Sequence, residues 1–340
     1  MSVAKPSIHD VATLAEVSKS LVSLALMGSP KVGEESRTKI LKAAKTLGYR
    51  RNAAARTLSA KRSKTIGVLV LDLHNPVFAE ILDGVQIEMR KNGFTTMLVS
   101  GGEDPVLEQS DIDTLLQFQI EGLILISHRL ATERLALIAA EVPTVVVTRS
   151  DIQLPAMDTI SNDDVAGTGL AVDYLVKLGH SKIICLSGGE NPTSKSRVQG
   201  YLRAMERNHL SDAAEVVVGG LSDAAGYAAA TQALKMNPTA LVVANDLAAM
   251  GAIAAIQEAG LVVPDDVSVI GYDGIAIGAL KNVNLTTVSQ PLAELGTLAA
   301  TRLVERINNP KEPAKQLKVS AELLVRGTTS EPIKTTGLAN

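Results

Sequence analysis

Residues 65–101 read TIGVLVLDLHNPVFAEILDGVQIEMRKNGFTTMLVSG, and their pattern recurs through most of the chain. An apolar run at 65–71 is followed by a stretch of helical length from Pro76 to Lys91, and a second strand-like run begins at Thr95. Apolar runs without alternating polar residues are typical of strands buried on both faces, as in parallel sheets covered by helices. The stretch therefore predicts a strand–helix–strand unit of α/β architecture.

Strand-like runs recur after residue 101. They read GLILIS, TVVVTRS, KIICLSG, EVVVGG, ALVVAND and VSVIGYDG, and a helical stretch from Pro105 to Gln119 precedes the first of them. About 275 residues of this pattern exceed what one lobe usually holds, so we expect two α/β lobes with parallel sheets and helices on both faces. The segment DTISNDD, 158–164, interrupts the rhythm, and we place the junction between the lobes near residue 160. We expect the chain to cross back near 289–291.

Charge separates the first 64 residues from the rest of the chain. They contain 13 Lys and Arg against four Asp and Glu, whereas the remaining residues contain 20 against 32. The formal charges of the two parts are therefore +9 and −12, although the whole chain carries only −3. A basic N-terminal module on an acidic body favours contact with a polyanion such as nucleic acid, and a merely solvated basic tail is the alternative.

The N-terminal region predicts helices and contains no β-branched run. SIHDVATLA has apolar residues at helical spacing, and a break at 15–17 precedes Ser18, a good N-cap for a second helix at 19–26. After the loop GSPKVG, a third helix is predicted at 34–47, closed by Gly48. Two short helices separated by a tight turn and braced by a third form a helix-turn-helix, whose second helix enters the major groove of DNA.

The second of these helices offers side chains that could contact DNA. Lys19, Ser20 and Ser23 lie opposite the apolar residues Val22 and Ala25, so they could reach base edges or phosphate groups. Hydroxyls and one lysine discriminate between bases less strongly than a bidentate Arg or Gln does. An ordinary solvated helix surface is the alternative interpretation.

Two leucines of the same helix have two interpretations. Leu21 and Leu24 either pack within the headpiece or contact a thymine methyl group. Basic residues in the third helix and beyond are expected to bind phosphate groups, which sets affinity and register but not base preference. These basic residues are Arg37, Lys39, Arg50 and Arg51.

Longer blocks of the sequence resemble the LacI family of bacterial transcription regulators. IHDVATLAEVSKSLVSLALMGSPKVGEESRTKILKAAKTLGYRRNAAARTLSAKRSKTIGVLVLDLHNPVF, 8–78, is similar without a gap to the family's headpiece, hinge and first effector-domain strand. ISNDDVAGTGLAVDYLVKLGH, SRVQGYLRAM, NDLAAMGAI, VPDDVSVIGYDG and LTTVSQP resemble the family's effector domain. The resemblance extends over residues 7–328.

The resemblance implies three parts in the chain. A helix-turn-helix headpiece is expected at 1–50, a hinge helix and linker at 51–63, and an effector-binding and dimerisation domain at 64–340. The last part should be a two-lobed, periplasmic-binding-protein-like domain, with an N-lobe at about 64–160 and 291–328 and a C-lobe at about 161–290.

By the same resemblance, 52–60 is the hinge helix, and Leu58 matches the leucine that enters the minor groove at the operator's centre. A helix of nine residues is too short to persist alone in water, so it needs a partner in order to form. If two hinges pair on DNA, Leu58 can unstack a central base step while Arg56 contacts phosphate. The residues expected to contact DNA are Ser18, Lys19, Ser20, Leu21, Ser23, Leu24, Arg37, Arg50, Asn52, Ala55, Arg56 and Leu58.

Two positions depart from the family's pattern. Leu24 stands where many members have a base-reading Arg, so the operator sequence stays open. Arg51 replaces the proline that commonly precedes the hinge Asn, and its freer backbone is expected to make the entry to the hinge less rigid.

Polar residues that follow the predicted strands should converge on the cleft between the lobes, because ligands of such sheets bind beyond the strands' carboxyl ends. The candidates for binding the effector are Asp72, His74, Phe78, His128, Arg149, Asn162, Arg197, Asn245, Asp273 and Gln290. The family resemblance favours Arg197, Asp273 and Gln290 most strongly. Structural ion pairs and helix caps are the alternative roles for these residues.

Helix capping competes with ligand binding for two further polar residues. Asp246 could cap a helix that starts at Leu247. Asn75 before Pro76 is typical of an N-cap followed by proline at the first helical position.

Composition restricts the kind of effector. Asp together with Arg or Asn supplies the donors and acceptors that ligand hydroxyls need. Aromatic residues make up only 2% of the chain and Trp is absent, so stacking on a sugar face would fall to Phe78, Tyr201 or Tyr272. These features indicate a small sugar, a polyol or cyclitol, or a sugar phosphate near Arg149 and Arg197.

The sequence lacks the motifs of common enzyme and cofactor sites. Neither G-x-x-x-x-G-K-[ST] nor G-x-G-x-x-G follows a strand-like run, and Asp72 with His74 forms a metal-like pair without a third ligand nearby. The single cysteine, Cys185, lies in the apolar run KIICLSG and is expected in the core, which suits a reducing compartment. We therefore expect no enzymatic activity, no cofactor and no bound metal.

Two classes of function follow from these features. The first is a repressor that binds a palindromic double-stranded DNA operator as a homodimer or higher oligomer and is controlled by a small-molecule effector. The second is a solute-binding or sugar-processing α/β protein with an incidental basic N-terminus. No apolar run of about 18 residues and no signal-type N-terminus occurs, so a cytoplasmic protein without membrane contact is expected. Whether the effector is an inducer or a corepressor stays open.

Overall fold

A computed structural model describes residues 6–49, 62–102 and 104–333, and the chain divides into two compact units between Ser63 and Lys64. The N-terminal unit contains the helices α1 (Ile8–Leu14), α2 (Lys19–Leu26) and α3 (Glu34–Leu47). They enclose a small apolar core that includes Val11, Val22 and Ile40. The three predicted helices are confirmed.

Local capping explains where the helices of this unit begin and end. The Ser18 hydroxyl accepts a hydrogen bond from the Leu21 N–H at 3.2 Å and so caps α2, as expected. Gly48 ends α3 at φ +63°, a left-handed conformation that glycine adopts without steric cost. The predicted hinge helix at 52–60 and the adjoining Arg50 and Arg51 lie outside the described residues, as do the expected DNA-contacting residues Asn52, Ala55, Arg56 and Leu58.

The C-terminal unit is an α/β structure built from two sheets. Its strands are β1 (Thr65–Val70), β2 (Thr95–Ser100), β3 (Gly122–Ile126), β4 (Thr144–Val147), β5 (Met157–Asn162), β6 (Ile183–Ser187), β7 (Glu215–Val218), β8 (Ala240–Val243), β9 (Ser268–Asp273), β10 (Thr286–Ser289), β11 (Gln316–Val319) and β12 (Glu322–Leu324). Its helices are α4 (Pro76–Lys91), α5 (Pro105–Gln117), α6 (Thr132–Glu141), α7 (Asp164–Leu178), α8 (Pro192–Arg207), α9 (Asp223–Leu234), α10 (Asp246–Glu258) and α11 (Leu292–Asn308).

Each sheet is the centre of one lobe. The first sheet has the order β11-β5-β4-β3-β1-β2 and is parallel throughout. The second has the order β12-β10-β9-β8-β6-β7 and is parallel except for β12, which pairs antiparallel with β10. Apolar clusters cover both sheets, and Cys185 is buried in the second lobe as expected. The predicted α/β fold with parallel sheets is confirmed.

The first five residues of DTISNDD belong to a strand, and its last two, Asp163 and Asp164, are the N-cap and the first residue of α7, so the segment is not the interruption that the sequence suggested. All six residues of β5 are buried although four of them are polar or charged. Asp158 is stabilised there because it accepts hydrogen bonds from the Arg306 guanidinium at 3.0 Å and from the Lys315 N–H at 2.5 Å. These partners come from distant parts of the chain, so the polar strand did not look like a strand in the sequence.

The chain passes between the lobes after β5, after β10 and again between β11 and β12. The expected N-lobe segment 291–328 therefore includes residues that belong to the second lobe. β12 pairs with β10, and the Thr328 hydroxyl donates to the Val269 carbonyl at 2.7 Å. A third crossing, which the sequence analysis did not foresee, accounts for the difference.

The two lobes share an apolar contact beside the cleft. Ile275, which follows β9 in the second lobe, is buried in the apolar cluster of the first lobe that contains Val77, Phe78 and Ile81. Leu247 and Met250 of α10 pack against the same cluster, partly buried. The end of β9 and the start of α10 are thus held against the first lobe.

Candidate functional site

A cleft between the two lobes contains roughly 650 Å³ of empty space, counting the open solvent at its mouth. Its walls are formed by Leu71, Asn75, Val77, Phe78, Ser127, Arg129, Thr148, Asn162, Asp164, Asn191, Thr193, Ser194, Arg197, Leu221, Ala244, Asn245, Asp273 and Gln290. Many of them stand at the carboxyl ends of parallel strands, where α/β proteins bind ligands. Helix N-termini contribute others, because Asn75, Asn191 and Asn245 are the N-caps of α4, α8 and α10.

Arg197 is the centre of a buried hydrogen-bonded cluster in this cleft. Its Nε donates to Asp164 Oδ1 at 3.0 Å, its Nη2 to Asp273 Oδ1 at 3.2 Å, and its Nη1 to the Ala244 carbonyl at 2.5 Å. The guanidinium also stacks on the Tyr272 ring, 3.7 Å from its centroid. Arg197 is therefore fixed in position by charge, hydrogen bonding and stacking.

Amide side chains extend the cluster. Gln290 Nε2 donates to Asp273 Oδ1 at 2.7 Å, and Asn162 Nδ2 donates to the Tyr272 hydroxyl at 2.5 Å. Among the described residues, neither Asn162 Oδ1 nor the hydroxyl of Thr148 has a hydrogen-bond partner, although both atoms are buried. Buried polar atoms are almost always paired, so these two unpaired atoms are unusual among the residues that line the cleft.

Burial shifts the protonation equilibria of the cluster. It raises the pKa of Asp273 to about 6, against the opposing effect of Arg197, and it also raises the pKa of Asp164. Burial disfavours the charged form of Arg197, but Asp164 and Asp273 outweigh this effect and raise the pKa of the guanidinium. The cluster consequently contains a permanent cation between two carboxylates whose pKa values are raised.

Six of the ten predicted effector-binding residues line the cleft. They are Phe78, Asn162, Arg197, Asn245, Asp273 and Gln290. Asn245 already has a structural role there, since its Oδ1 accepts from the Ala248 N–H and its Nδ2 donates to the Leu221 carbonyl, both at 2.9 Å. The helix-cap role considered for Asp246 is wrong because α10 begins at Asp246 itself and Asn245 is its cap.

Asp72 and His74 lie in a wider, outer part of the cleft that shares Leu71 and Phe78 with the inner part. His74 exposes 96% of its side chain. Its Nδ1 lies 2.9 Å from Asp72 Oδ1, which also accepts a hydrogen bond from the His74 N–H. The pair is therefore near the mouth and not beside the Arg197 cluster.

His128 and Arg149 do not line the cleft, contrary to expectation. Arg149 pairs with Asp151 at 2.7 Å and donates to the His128 carbonyl at 2.9 Å. The His128 ring is fully buried without a hydrogen-bond partner in the described part of the chain, and its burial, followed by the charge of Arg149, lowers its pKa to about 3. Their predecessors Ser127 and Thr148 line the cleft instead, because left-handed backbone at φ +56° and +72° turns the chain at both strand ends.

Several cleft residues were missed by the sequence analysis. Asp164, two residues after the candidate Asn162, is the most important of these because it holds Arg197. Asn191 precedes Pro192 as Asn75 precedes Pro76, so the same N-cap signature could have placed both at the cleft. Ser127, Arg129, Thr148, Thr193 and Ser194 carried no comparable signal.

In the N-terminal unit, α2 presents its predicted DNA-contacting face. Lys19 and Ser20 are exposed and Ser23 is half-buried. Leu21 and Leu24 pack partly against the apolar core, in line with the first of their two interpretations. Base contact by these residues stays a prediction.

Arg37 has a structural role in the same unit. Its guanidinium donates to the Ser29 carbonyl at 2.6 Å and to those of Ala25 and Val32 at 3.4 Å. It thereby joins α3 to the end of α2 and the following loop. A phosphate contact by the same side chain stays a prediction.

The described residues offer neither a metal-binding cluster nor a membrane-spanning helix. No group of three or more His, Cys, Asp or Glu side chains there could hold a metal ion. No helix there has the length and the apolar character that crossing a membrane requires.

Models of two protein families match this chain. The model described as bacterial regulatory proteins of the lacI family matches residues 7–52, and the periplasmic binding protein-like domain matches residues 172–329. The ribose operon repressor of Haemophilus influenzae is 34% identical over 94% of this chain and 97% of its own length. The HTH-type transcriptional repressor PurR of Proteus mirabilis is 33% identical over 96% of this chain and 97% of its own length.

Solved structures of bacterial repressors and regulators are also similar to this chain. The lac repressor dimer bound to operator and the anti-inducer ONPF superposes with a TM-score of 0.87 at 28% identity, over 96% of this chain and all of that one. A LacI family transcriptional regulator from Enterococcus faecium with bound ribose gives a TM-score of 0.71 at 28% identity, over 78% of this chain and 99% of that one. The agreement in sequence extends through the helical unit and both lobes, so this chain belongs to the LacI family of bacterial regulatory proteins.

Proposed function

We propose that this chain is a homodimeric transcriptional repressor that binds a palindromic DNA operator through α2. Its operator affinity is controlled by a small, neutral, polyhydroxylated effector in the cleft, such as a pentose, a polyol or a cyclitol. Transcriptional repressors among its relatives support the first part, and the chemistry of the cleft supports the second.

The observation that carries the effector class is the placement of Arg197 between Asp164 and Asp273. A hydroxyl group both donates and accepts, so it can donate to a carboxylate and accept from the guanidinium of the same cluster. Asn162 Oδ1 and the Thr148 hydroxyl add buried partners for further hydroxyls. A molecule with several hydroxyl groups at fixed spacing fits this set of donors and acceptors.

The charge of the cluster favours a neutral effector over a sugar phosphate. Two carboxylates flank the Arg197 guanidinium, so its positive charge is compensated within the protein. A phosphate group placed there would meet the negative charge of Asp164 and Asp273 at close range in a medium of low dielectric. Arg149, the other arginine considered for a phosphate, pairs with Asp151 and does not line the cleft.

The size of the effector is supported by the relatives. One is named a ribose operon repressor, and the Enterococcus faecium regulator contains bound ribose. Phe78 is the aromatic side chain that lines the inner cleft in the described structure, which offers little surface for stacking on a large sugar. We therefore use D-ribose as the first probe.

DNA binding is supported by the exposed polar face of α2 and by the basic charge of residues 1–64. Lys19 and Ser20 are accessible there, and the segment carries a formal charge of +9. The dimer is supported by the lac repressor structure, which contains a dimer on its operator. A two-fold symmetric protein reads two half-sites, so we expect a palindromic operator.

The experiment has two arms on the full chain. The first measures the heat of binding of D-ribose, ribitol, myo-inositol and ribose 5-phosphate. The second selects duplexes from a random DNA pool and measures their affinity with and without the bound compound at one salt concentration. We expect a neutral compound to bind and to change operator affinity by about 5- to 150-fold.

Three outcomes would contradict the proposal. Binding of ribose 5-phosphate alone would overturn the neutral effector class. Selection without a palindromic consensus would overturn the operator-binding role. Turnover of a bound sugar, with no effect on DNA affinity, would identify the alternative, a sugar-processing protein.

A further inference from the structure

Asp246 is a buried carboxylate in the first turn of α10 that the proposed effector contacts do not use. Its Oδ2 accepts hydrogen bonds from the Gly274 N–H at 2.8 Å and the Ile275 N–H at 2.9 Å. Its Oδ1 accepts from the Thr287 hydroxyl at 2.5 Å. Burial and the negative charge of Asp273 raise its pKa to about 7, so the fold tolerates an energetically costly group at this position.

The neighbouring strand leaves space for this carboxylate. A Cβ atom at Gly271 of β9 would lie 2.3 Å from Asp246 Oδ1, far inside any normal contact. At Gly278, by contrast, a Cβ atom would lie 3.7 Å from Asp246 Oδ2, an ordinary van der Waals distance. The absence of a side chain at position 271 is therefore a condition for the hydrogen bonds of Asp246.

The backbone that Asp246 holds has an unfavourable conformation. Asp273 has φ +113° and Gly274 has φ +79°. A non-glycine residue at positive φ costs free energy and persists only when its surroundings enforce it. The N–H groups of Gly274 and Ile275 in this turn are the two bound to Asp246, so the carboxylate enforces the turn directly.

The turn points its residues in two directions. Asp273 Oδ1 meets both Arg197 and Gln290 in the cleft. Ile275, two residues later, is 1% exposed and lies in the apolar core of the first lobe. The conformation of this turn thus determines both a group of the cleft and a contact between the lobes.

We propose that Asp246 is a positioning residue of the effector cleft. Its carboxylate holds the turn 273–275 so that Asp273 faces Arg197 while Ile275 packs into the first lobe. The inference rests on the proposed function only in that Asp273 is taken to bind the effector. Asp246 itself does not line the cleft.

The test compares Asp246→Ala with the isosteric Asp246→Asn in the full chain. One readout is the hydrogen exchange rate of the amides of residues 274 and 275, and the other is the affinity for D-ribose. The Ala variant should exchange both amides about tenfold faster and bind ribose about tenfold more weakly, because both hydrogen bonds to the turn are lost together with the one from Thr287. The Asn variant retains an oxygen acceptor and should stay within about threefold of the wild type in both readouts.

Two glycine variants test the same inference with the carboxylate in place, and they decide it if Asp246→Ala does not fold. Gly271→Ala should displace the carboxylate and accelerate exchange at 274 and 275, whereas the matched Gly278→Ala should leave both amides protected. Equal protection in Gly271→Ala and Gly278→Ala would overturn the inference. Equal exchange in the Asp246→Ala and Asp246→Asn variants would also overturn it, as would equal ribose affinity of these two variants when the wild type binds ribose. If the wild type binds no ribose, the pentose proposal fails, and the exchange rates still decide the role of Asp246.

Discussion

Two buried ion clusters in the C-terminal unit differ in composition and in access. In the cleft, one arginine, Arg197, lies between two carboxylates. In the first lobe, one fully buried carboxylate, Asp158, lies between Arg302 and Arg306. Arg302 also pairs with two more exposed carboxylates, Glu305 and Glu312. The first cluster borders empty space, and the second is enclosed by β5, α11 and the segment before β11.

The protonation of the carboxylates follows from this difference. Burial acts against the charge of Asp158, but hydrogen bonds from Arg306 and the Lys315 N–H, with the charges of both arginines, lower its pKa below the usual value. In the cleft the single arginine is shared, so burial prevails and the pKa of Asp273 rises to about 6. Asp158 is a charged carboxylate paired within a closed cluster, whereas Asp273 has a raised pKa beside open space.

The largest effect is expected from Asp158→Ala. The substitution leaves Arg302 and Arg306 buried without their shared partner, which should cost about 3–5 kcal/mol in the free energy of unfolding. Urea denaturation of the full chain measures this loss. A loss below about 1 kcal/mol would show that the cluster is not the structural element inferred here.

Arg197→Ala should affect ligand binding more than folding. Loss of the group that holds both carboxylates should weaken D-ribose binding by about 100-fold, or about 2.7 kcal/mol. Asp164 and Asp273 can become protonated, because their pKa values are already raised, so the unfolding free energy should fall less than in Asp158→Ala. Calorimetric titration beside urea denaturation checks both, and unchanged ribose affinity would exclude Arg197 from the site.

Asp273→Asn should change how stability depends on pH. The folded-state pKa of Asp273 is about 6 against an ordinary value of 3.8, so the folded chain binds this proton more tightly than the unfolded chain. This contribution stabilises the fold as pH falls from about 7 toward 4, by about 1–3 kcal/mol, and the Asn variant should lose it.

Urea denaturation of the wild type and Asp273→Asn at several pH values gives the difference in slope. Asp158 has a lowered pKa, so its contribution has the opposite sign and is lost as pH falls below its ordinary range. Because Asp158 is present in both proteins, its contribution cancels in the comparison. Parallel pH profiles would contradict the raised pKa of Asp273.

The smallest effect is expected from Asp173→Asn, in an exposed ion pair. Arg207 donates to Asp173 at 2.6 Å, but the two side chains are 56% and 44% exposed. Water and salt screen such a pair, so the unfolding free energy should change by about 0–1 kcal/mol. A loss comparable to that of Asp158→Ala would show that burial is not what distinguishes the clusters.

Much of the fold could be predicted because its signals are local. Asn75 before Pro76 marks the start of α4, and Gly48 marks the end of α3. β5 was missed because its polar residues are stabilised by partners such as Arg306, 148 residues away from Asp158. Where the polar residues of a buried strand are stabilised by partners far away in the sequence, the local pattern of apolar and polar residues does not predict the strand.

The candidate site shows the same division. The family resemblance favoured Arg197, which lies within α8, and the end of β9 identified Asp273 as a candidate, since ligands bind beyond the carboxyl ends of parallel strands. His128 and Arg149 were expected on the same ground, but left-handed backbone at Ser127 and Thr148 turns each chain segment one residue earlier. Thr148 and Thr193, which also line the cleft, had no feature in the sequence that set them apart.

The sequence by itself determined the helical N-terminal unit, the alternation of strands and helices, and the burial of Cys185, because these depend on spacing, capping and apolar runs within a few residues. Only the tertiary structure decided which polar groups meet. Arg197 finds Asp164 and Asp273 at separations of 33 and 76 residues, and Asp246 reaches a turn 28 residues away. Such contacts depend on how the helices and strands of the second lobe pack together, and ion pairs of this kind have no local signature in the chain.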